Sequence, residues 1–452
     1  MDNITKKIAG YASSLSFNNL DEPTRHAATQ RLIDALGCGL GAYDCEPAQI
    51  GRRLSAGETP GKYAGRVLFY GNRLPAESAG FINTAMIRNF DFNDRYPGGH
   101  PSDALGPLIG LASAMQVDGQ RFLAAMSVVY EIFARLADAA QLSRRGWDQG
   151  FGISISAAAG VCNLLGLSLE TTANAIGIAA SSSVPLRVTR SGELTSWKSV
   201  ATAYAARNGL FAACLAAEGQ EGPGHAFEGR AGLFENITGP FTLADFPTEG
   251  GPSLTPRVQL KYWPVETNGQ PVIWAALDLR KSLAAADIKS IEVFANKFTW
   301  FEIGSEPEKW DPQTRETADH SLPYIFARAF VDGPITTRSS FTDDKVRDPA
   351  LRPLMSKLKV TVDDALEAML PRMVLRVTAT ATDGREHKVE IVDPLGHPDN
   401  PMQDNDIEEK FSAMAAPVMG ADRCRRSLDA LWKARDADNI GALFAMLDLK
   451  PH

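Results

Sequence analysis

Residues 153–165 read Ile153-Ser-Ile-Ser-Ala-Ala-Ala-Gly-Val-Cys-Asn-Leu-Leu165. The apolar run continues to Leu167 and is the most apolar of the chain, interrupted only by Ser154, Ser156 and Asn163. Those interruptions keep it short of the roughly 18 uninterrupted apolar residues that a membrane span needs. Its length and its Ala and Gly content predict a buried helix. The text on either side is of the same kind from Glu22 to about Ala217. Thr24–Leu40 places Ala27, Leu32, Ala35, Leu36 and Leu40 at helical spacing. Further helices are predicted over Ala76–Phe90, Ala104–Met115, Gln120–Gln141, Leu169–Ser181 and Ser196–Ala217. Helices so rich in Gly and Ala can approach one another closely, as a layered bundle requires.

Around residue 288 the period changes. Ile288–Ala295, Leu358–Val362 and Met373–Thr382 show strand-like alternation and β-branched enrichment. Thr382-Asp383-Gly384 signals a hairpin into His387–Val392. Helices over Gln270–Leu283 and Thr317–Val331 interrupt these strands. After Pro394 the pattern reverts to helix at Asp406–Met414, Arg423–Ala434 and Asn439–Leu447. The expected fold is therefore mainly α: a large all-helical domain over 1–265, completed by a C-terminal helical return over 396–452, with a smaller α+β domain over 266–395 inserted before it.

Composition narrows the function classes. At 452 residues the chain is too long for one ordinary core, and 44% apolar with 22% charged residues is the balance of a soluble globular protein. A net charge of −8 argues against a nucleic-acid partner, whose phosphates need a broad basic face. The start, Met1-Asp2-Asn3-Ile4-Thr5-Lys6-Lys7, lacks the apolar run of a secretory signal, and no membrane association is expected. The five cysteines (Cys38, Cys45, Cys162, Cys214, Cys424) show no metal-knuckle spacing, and the seven histidines include no i, i+4 pair on a helix. No protein-bound metal is expected, and a reducing cytoplasm is the expected compartment.

Against this apolar background residues 91–103 stand out: Asp91-Phe-Asn-Asp-Arg-Tyr-Pro-Gly-Gly-His-Pro-Ser-Asp103. Asp91, Asp94, Arg95 and His100 fall within ten positions, and Pro97-Gly98-Gly99 with Pro101 hold the segment out of regular structure. Such a loop can aim several charged groups at one point, as a site for a small anion requires. Three other clusters accompany it. Thr189–Lys198 opens a long apolar helix with Lys198 in its first turn; the choice lies between a solvated lysine and a cation turned inward to hold a carboxylate. Lys261-Tyr-Trp-Pro-Val-Glu266-Thr-Asn-Gly-Gln270 lies at the expected domain junction, where two walls can close around a ligand. Ala318-Asp319-His320-Ser321-Leu322-Pro323-Tyr324 opens a helix of the smaller domain, with His320 read as a cap or a structural histidine and Tyr324 as a packing residue. Gly224–Gly229 is glycine-rich but follows no strand, so it is not read as a dinucleotide site.

Taken in order, Asp-Phe-Asn-Asp with Gly-His-Pro-Ser-Asp, Gly-Glu-Leu before Trp-Lys, Lys-x-x-Pro-x-Glu-x-x-x-Gln and Asp-His-Ser-Leu-Pro-Tyr resemble the MmgE/PrpD family. The resemblance covers nearly the whole chain, including Leu32–Gly37 and Ala205–Gly209. It implies a helical domain with a smaller α+β lid, usually a homodimer, and chemistry without metal or cofactor. By motif it assigns Asp91, His100, Lys198 and Lys261 to the family's site aspartate, histidine and two lysines, and Tyr324 to a site tyrosine on the lid. Three positions depart from the pattern. Gln149 replaces a histidine that many members carry after Gly-Trp-Asp. Glu266 stands where decarboxylase-type members carry histidine and agrees with the methylcitrate dehydratases. Arg95 replaces a frequent threonine and adds a planar fork for one more carboxylate.

The family's reactions take place at a carbon next to a carboxylate, so the expected substrate is a small di- or tricarboxylate. The leading expectation is a lyase that dehydrates a 2-methylcitrate-like acid. Epimerisation of an iminodisuccinate-like acid and decarboxylation of a cis-aconitate-like one are the alternatives, and an inactive member that only binds or dimerises is a third. His100 is the expected base or acid and Tyr324 the expected proton donor. Asp91 and Asp94 are expected to orient His100 or the lysines, with a structural hydrogen bond the other reading of Asp94. Lys198, Lys261 and Arg95 supply positive charge, and Gln149, Glu266 and Gln270 complete the expected binding set.

Overall fold

Glycine decides how the first half of the chain packs. A computed structural model describes residues 1–449. It begins with nine helices: α1 (Asn3–Ser14), α2 (Glu22–Gly41), α3 (Glu46–Leu54), α4 (Ala76–Arg88), α5 (Leu105–Met115), α6 (Gly119–Ala140), α7 (Gly150–Leu165), α8 (Leu169–Ser182) and α9 (Trp197–Ala217). A two-stranded ribbon, β1 (Ala64–Arg66) with β2 (Arg73–Pro75), lies between α3 and α4. Asp2, Asp21, Asp118 and Ser168 cap α1, α2, α6 and α8 by accepting a first-turn N–H. The helix over 153–165 is the centre of this bundle, with α6 on one side and α9 on the other. A Cβ on Gly160 of α7 would lie 2.4 Å from Val129 of α6, and one on Gly209 of α9 only 2.2 Å from the Ser154 carbonyl of α7. The small residues therefore let three helices touch backbone to side chain.

The second half holds α10 (Gln270–Leu279), β3 (Ile288–Ala295), α11 (Lys297–Ile303), α12 (Arg315–Ala318), α13 (Leu322–Asp332), two short helical turns α14 (Asp343–Val346) and α15 (Arg352–Met355), β4 (Leu358–Val362), a further turn α16 (Asp364–Glu367), β5 (Val374–Ala381) and β6 (Glu386–Val392). The sheet order is β4-β3-β5-β6, with β4 parallel to β3 and the other pairs antiparallel. Leu375, Val377, Ala379 and Ala381 turn to one face of β5, where they join the apolar side chains of α10 and α13 in a core that runs from Trp263 to Ala381. The last helices, α17 (Asp404–Met419), α18 (Ala421–Leu431) and α19 (Ile440–Ala445), return to the first core. Phe411 of α17 packs on Gly37 of α2, and Lys410 reaches the buried Asp34 at 2.6 Å. The chain is mainly α, and no described helix is long and apolar enough to cross a membrane.

The helix predicted over Thr317–Val331 is instead broken at Asp319–Ser321. Pro323 has no N–H to give to the carbonyl of Asp319, so that carbonyl accepts the Glu266 N–H at 2.9 Å. Ser321, not His320, then caps α13 by accepting the Tyr324 N–H at 3.1 Å. The break brings Asp319 and His320 out of regular helix, with the Asp319 backbone against Glu266.

Candidate active site

The loop that opens at the end of α4 turns back at Asp91, whose backbone is left-handed (φ 49°). Strain of this kind on a non-glycine residue gathers at sites where a side chain must be aimed. Here the carboxylate folds over the helix end, and Oδ1 meets Arg88 at 2.7 Å. Lys261 Nζ donates to the same oxygen at 2.6 Å and to the Asp91 carbonyl at 2.8 Å. Lys198, in the first turn of α9, reaches Oδ2 at 3.0 Å and Asp319 at 3.0 Å. Burial works against the charge on Asp91, yet Arg88, Lys198 and Lys261 hold its pKa well below the usual carboxylate range. Burial lowers the Lys261 ammonium, with Asp91 opposing it.

Two imidazoles flank this carboxylate. His100 Nε2 lies 3.5 Å from Oδ1, and His320 Nε2 lies 3.3 Å from Oδ2. The Nδ1–H of His100 donates to the Asp94 carbonyl at 2.5 Å, which leaves Nε2 as the lone-pair nitrogen of the neutral ring. Its backbone N–H donates to Gln149 Oε1 at 2.7 Å. Burial, then Arg88 and Lys261, push the His100 pKa well below its ordinary value. His320 Nδ1 is held by Asp319.

A polar cavity between the two cores takes Arg88, Asp91, Arg95, His100, Gln149 and Lys261 on one side, with Arg187 and Arg190 from the turn before α9. Glu266, His320, and Phe298 and Glu302 of α11 face them from the smaller unit. Five cationic side chains thus share the lining with three carboxylates. Arg187 pairs with Glu302, and Arg190 with the buried Asp148 at 2.6 Å. Asp91, Asp319 and His320 are the one set of metal-type donors brought together among the described residues. Lys198 Nζ sits within 3.0 Å of both carboxylates and supplies the positive charge there. A wider groove between α10 and β6 carries no histidine.

Of the residues expected from sequence, Asp91, Arg95, His100, Gln149, Lys261 and Glu266 line this one cavity, with Lys198 directly behind Asp91. Asp94 lies behind His100, where its carboxylate accepts the Ser102 hydroxyl at 2.6 Å and burial pushes its pKa up to about 6. Gln270 is buried and ties the turn at Trp263, accepting that residue's N–H at 2.9 Å and donating to its carbonyl at 2.8 Å. Tyr324 is placed away from the cavity. It is fully buried in the second core, where its hydroxyl donates to the Ser340 carbonyl at 2.5 Å and its ring lies beside Phe341. Arg88, Asp319, His320, Arg187, Arg190 and Glu302 escaped the sequence reading as site residues. Arg88 had a usable signal, a lone cation three positions before Asp91 at the end of an apolar helix.

Two cores with a cation-rich polar cavity between them define a mainly α protein. The chain belongs to the MmgE/PrpD family: residues 6–244 match its N-terminal domain and residues 263–434 its C-terminal domain. The second match takes in α17 and α18, which pack on the first core. Curated relatives are enzymes. The chain is 24% identical to cis-aconitate decarboxylase of Mus musculus, covering 99% of this chain and 94% of the relative. It is 25% identical to a cis-aconitate decarboxylase-like protein of Aspergillus oryzae, covering 98% and 97%. With 2-methylcitrate dehydratase of Escherichia coli K12 the identity is 26%, over 81% and 80%.

Proposed function

We propose that this protein is a cofactor-independent lyase that removes water from a small, 2-methylcitrate-like di- or tricarboxylate, beginning with a proton next to a carboxylate. One observation carries the reading: the lone-pair nitrogen of a neutral histidine, His100 Nε2, opens on a cavity whose cations outnumber its carboxylates. His100 accepts the carbon-bound proton. The electron pair left behind spreads onto the substrate's carboxylate oxygens, where Lys261 and Arg95 face the growing charge. The carbon–oxygen bond then breaks, and the hydroxyl takes up one proton and leaves as water. Arg187 and Arg190 are placed to hold the remaining carboxylates, with fork geometry suited to that group.

Glu266 favours dehydration over loss of CO2, because it accepts hydrogen bonds where the resemblance puts a histidine in decarboxylase-type members. Decarboxylation is the second reading, favoured by the match to the mouse enzyme along 99% of this chain. Proton NMR of the purified protein in heavy water, with 2-methylcitrate, citrate, cis-aconitate and iminodisuccinate in turn, separates the cases. A vinylic methyl signal from 2-methylcitrate or a vinyl proton from citrate is expected. Vinyl product from cis-aconitate alone means decarboxylation, and exchange without product means epimerase-like chemistry. No change with any of the four acids contradicts the proposal.

A further inference from the structure

The cavity holds a second imidazole that the proposed reaction has not yet used, and its surroundings differ from those of His100. His320 sits at the break between α12 and α13, with a carboxylate on each ring nitrogen: Asp319 at Nδ1 and Asp91 Oδ2 at Nε2, 3.3 Å away. Such a pair favours the imidazolium, whereas burial and the Lys198 ammonium oppose it and hold the ring's pKa down to about 4. His100 has a backbone carbonyl at Nδ1 instead, which fixes its tautomer without adding charge. The two rings therefore present their Nε2 atoms to different oxygens of one carboxylate. Both rings line the cavity.

We infer that His320, held by Asp319, is the second proton-transfer group of the site: it delivers the proton with which the substrate's hydroxyl leaves. This inference rests on the proposed dehydration. The carbon–hydrogen bond breaks and its proton goes to His100 Nε2. The carbon–oxygen bond breaks and the leaving oxygen takes the proton of His320 Nε2–H, so that one water forms and the total proton count on the two rings is unchanged. The carboxylates at both nitrogens of His320, joined by those of a bound polycarboxylate, favour its imidazolium and load it for the step, whereas the carbonyl at His100 Nδ1 adds no charge and leaves that ring neutral. Asp319 is a positioning residue: it keeps Nδ1 protonated and Nε2 turned to the cavity.

Two measurements on the protein test this. In the first, histidine-¹⁵N-labelled protein is titrated with tricarballylate, a tricarboxylate with no hydroxyl to lose. The Nε2 resonance of His320 is expected to move toward the protonated position, and that of His100 to shift while staying in the unprotonated range. Movement of His100 alone overturns the role of His320; movement of neither overturns the polycarboxylate reading and this inference with it. In the second, H320Q is incubated with 2-methylcitrate in heavy water. Deuterium exchange next to the carboxylate is expected to stay within a few-fold of the native rate while water loss falls at least a hundredfold. Equal loss of both, or neither, overturns the inference. D319N is expected to lower kcat with little change in KM and to shift the pH profile, an effect that a merely structural aspartate does not produce.

Discussion

Two buried lysines, Lys410 and Lys261, each pair with a buried aspartate, and the difference between them separates structure from function. Lys410 is closed in by the protein: it pairs with Asp34 at 2.6 Å and donates to the Phe92 carbonyl at 2.7 Å and to the Lys261 carbonyl at 2.7 Å. Its aspartate has one close cationic partner, and burial raises the Asp34 pKa despite it. Lys261 gives two donors to Asp91, on the side chain and the backbone, and faces the cavity. Asp91 also holds Arg88 and Lys198, an oversupply of cations that pulls its pKa down. A closed ion pair pins the C-terminal return to the bundle. An open one leaves the Lys261 ammonium on the cavity wall.

Substituting the two lysines in parallel breaks this comparison if it is mistaken. K410M strands a buried carboxylate and is expected to cost about 3–5 kcal/mol of stability by denaturant unfolding, with turnover per folded molecule within a few-fold of native. K261M leaves Asp91 two other cations, so its main expected effect is a loss of turnover on the order of a hundredfold. The reverse pattern contradicts the distinction.

The pH profile sharpens it further. In the proposed reaction His100 acts as a base only when unprotonated, and its pKa is lowered by burial and by Arg88 and Lys261. Activity is therefore lost as pH falls through a value well below the ordinary 6.5 of histidine. Lys261 works only when protonated and is lowered by burial, so the alkaline limb of kcat/KM is expected below the ordinary 10.5 of lysine. An acid limb at or above 6.5 removes His100 from the role of base.

The smallest expected effect concerns Tyr324. Y324F loses one buried hydrogen bond to the Ser340 carbonyl and is expected to cost about 1–2 kcal/mol of stability, with kcat and KM within about twofold of native. A large drop in kcat without loss of stability returns Tyr324 to the chemistry.

Much of the fold was readable because it is written locally. The Gly- and Ala-rich helices, the switch to strand period at Ile288 and the Asp383-Gly384 hairpin each depend on near neighbours. The loop at 91–103 was readable for the same reason, since its charges stand out from apolar text. Assembly of the site was not, because Asp91 meets Lys261 across 170 residues, and Lys198 meets Asp319 across 121. The resemblance to a family supplied Lys198 and Lys261, which their own surroundings left ambiguous. His320 was hidden by its context, a helix opening where a cap is the ordinary role. Its exposure to the cavity depends on Pro323 breaking the helix and on the Asp319 carbonyl turning to Glu266, a contact between segments 53 positions apart. Tyr324 shows the opposite case: a helix start near the site with its side chain directed into its own core.

The central claim, that His100 takes a proton beside a substrate carboxylate, is tested most directly by deuterium incorporation from heavy water. Native protein and H100A are each incubated with 2-methylcitrate and the carbon-bound protons next to the carboxylates are followed by NMR. The account predicts rapid incorporation with the native protein and a loss on the order of a thousandfold in a folded H100A. Incorporation by H100A at near the native rate contradicts it.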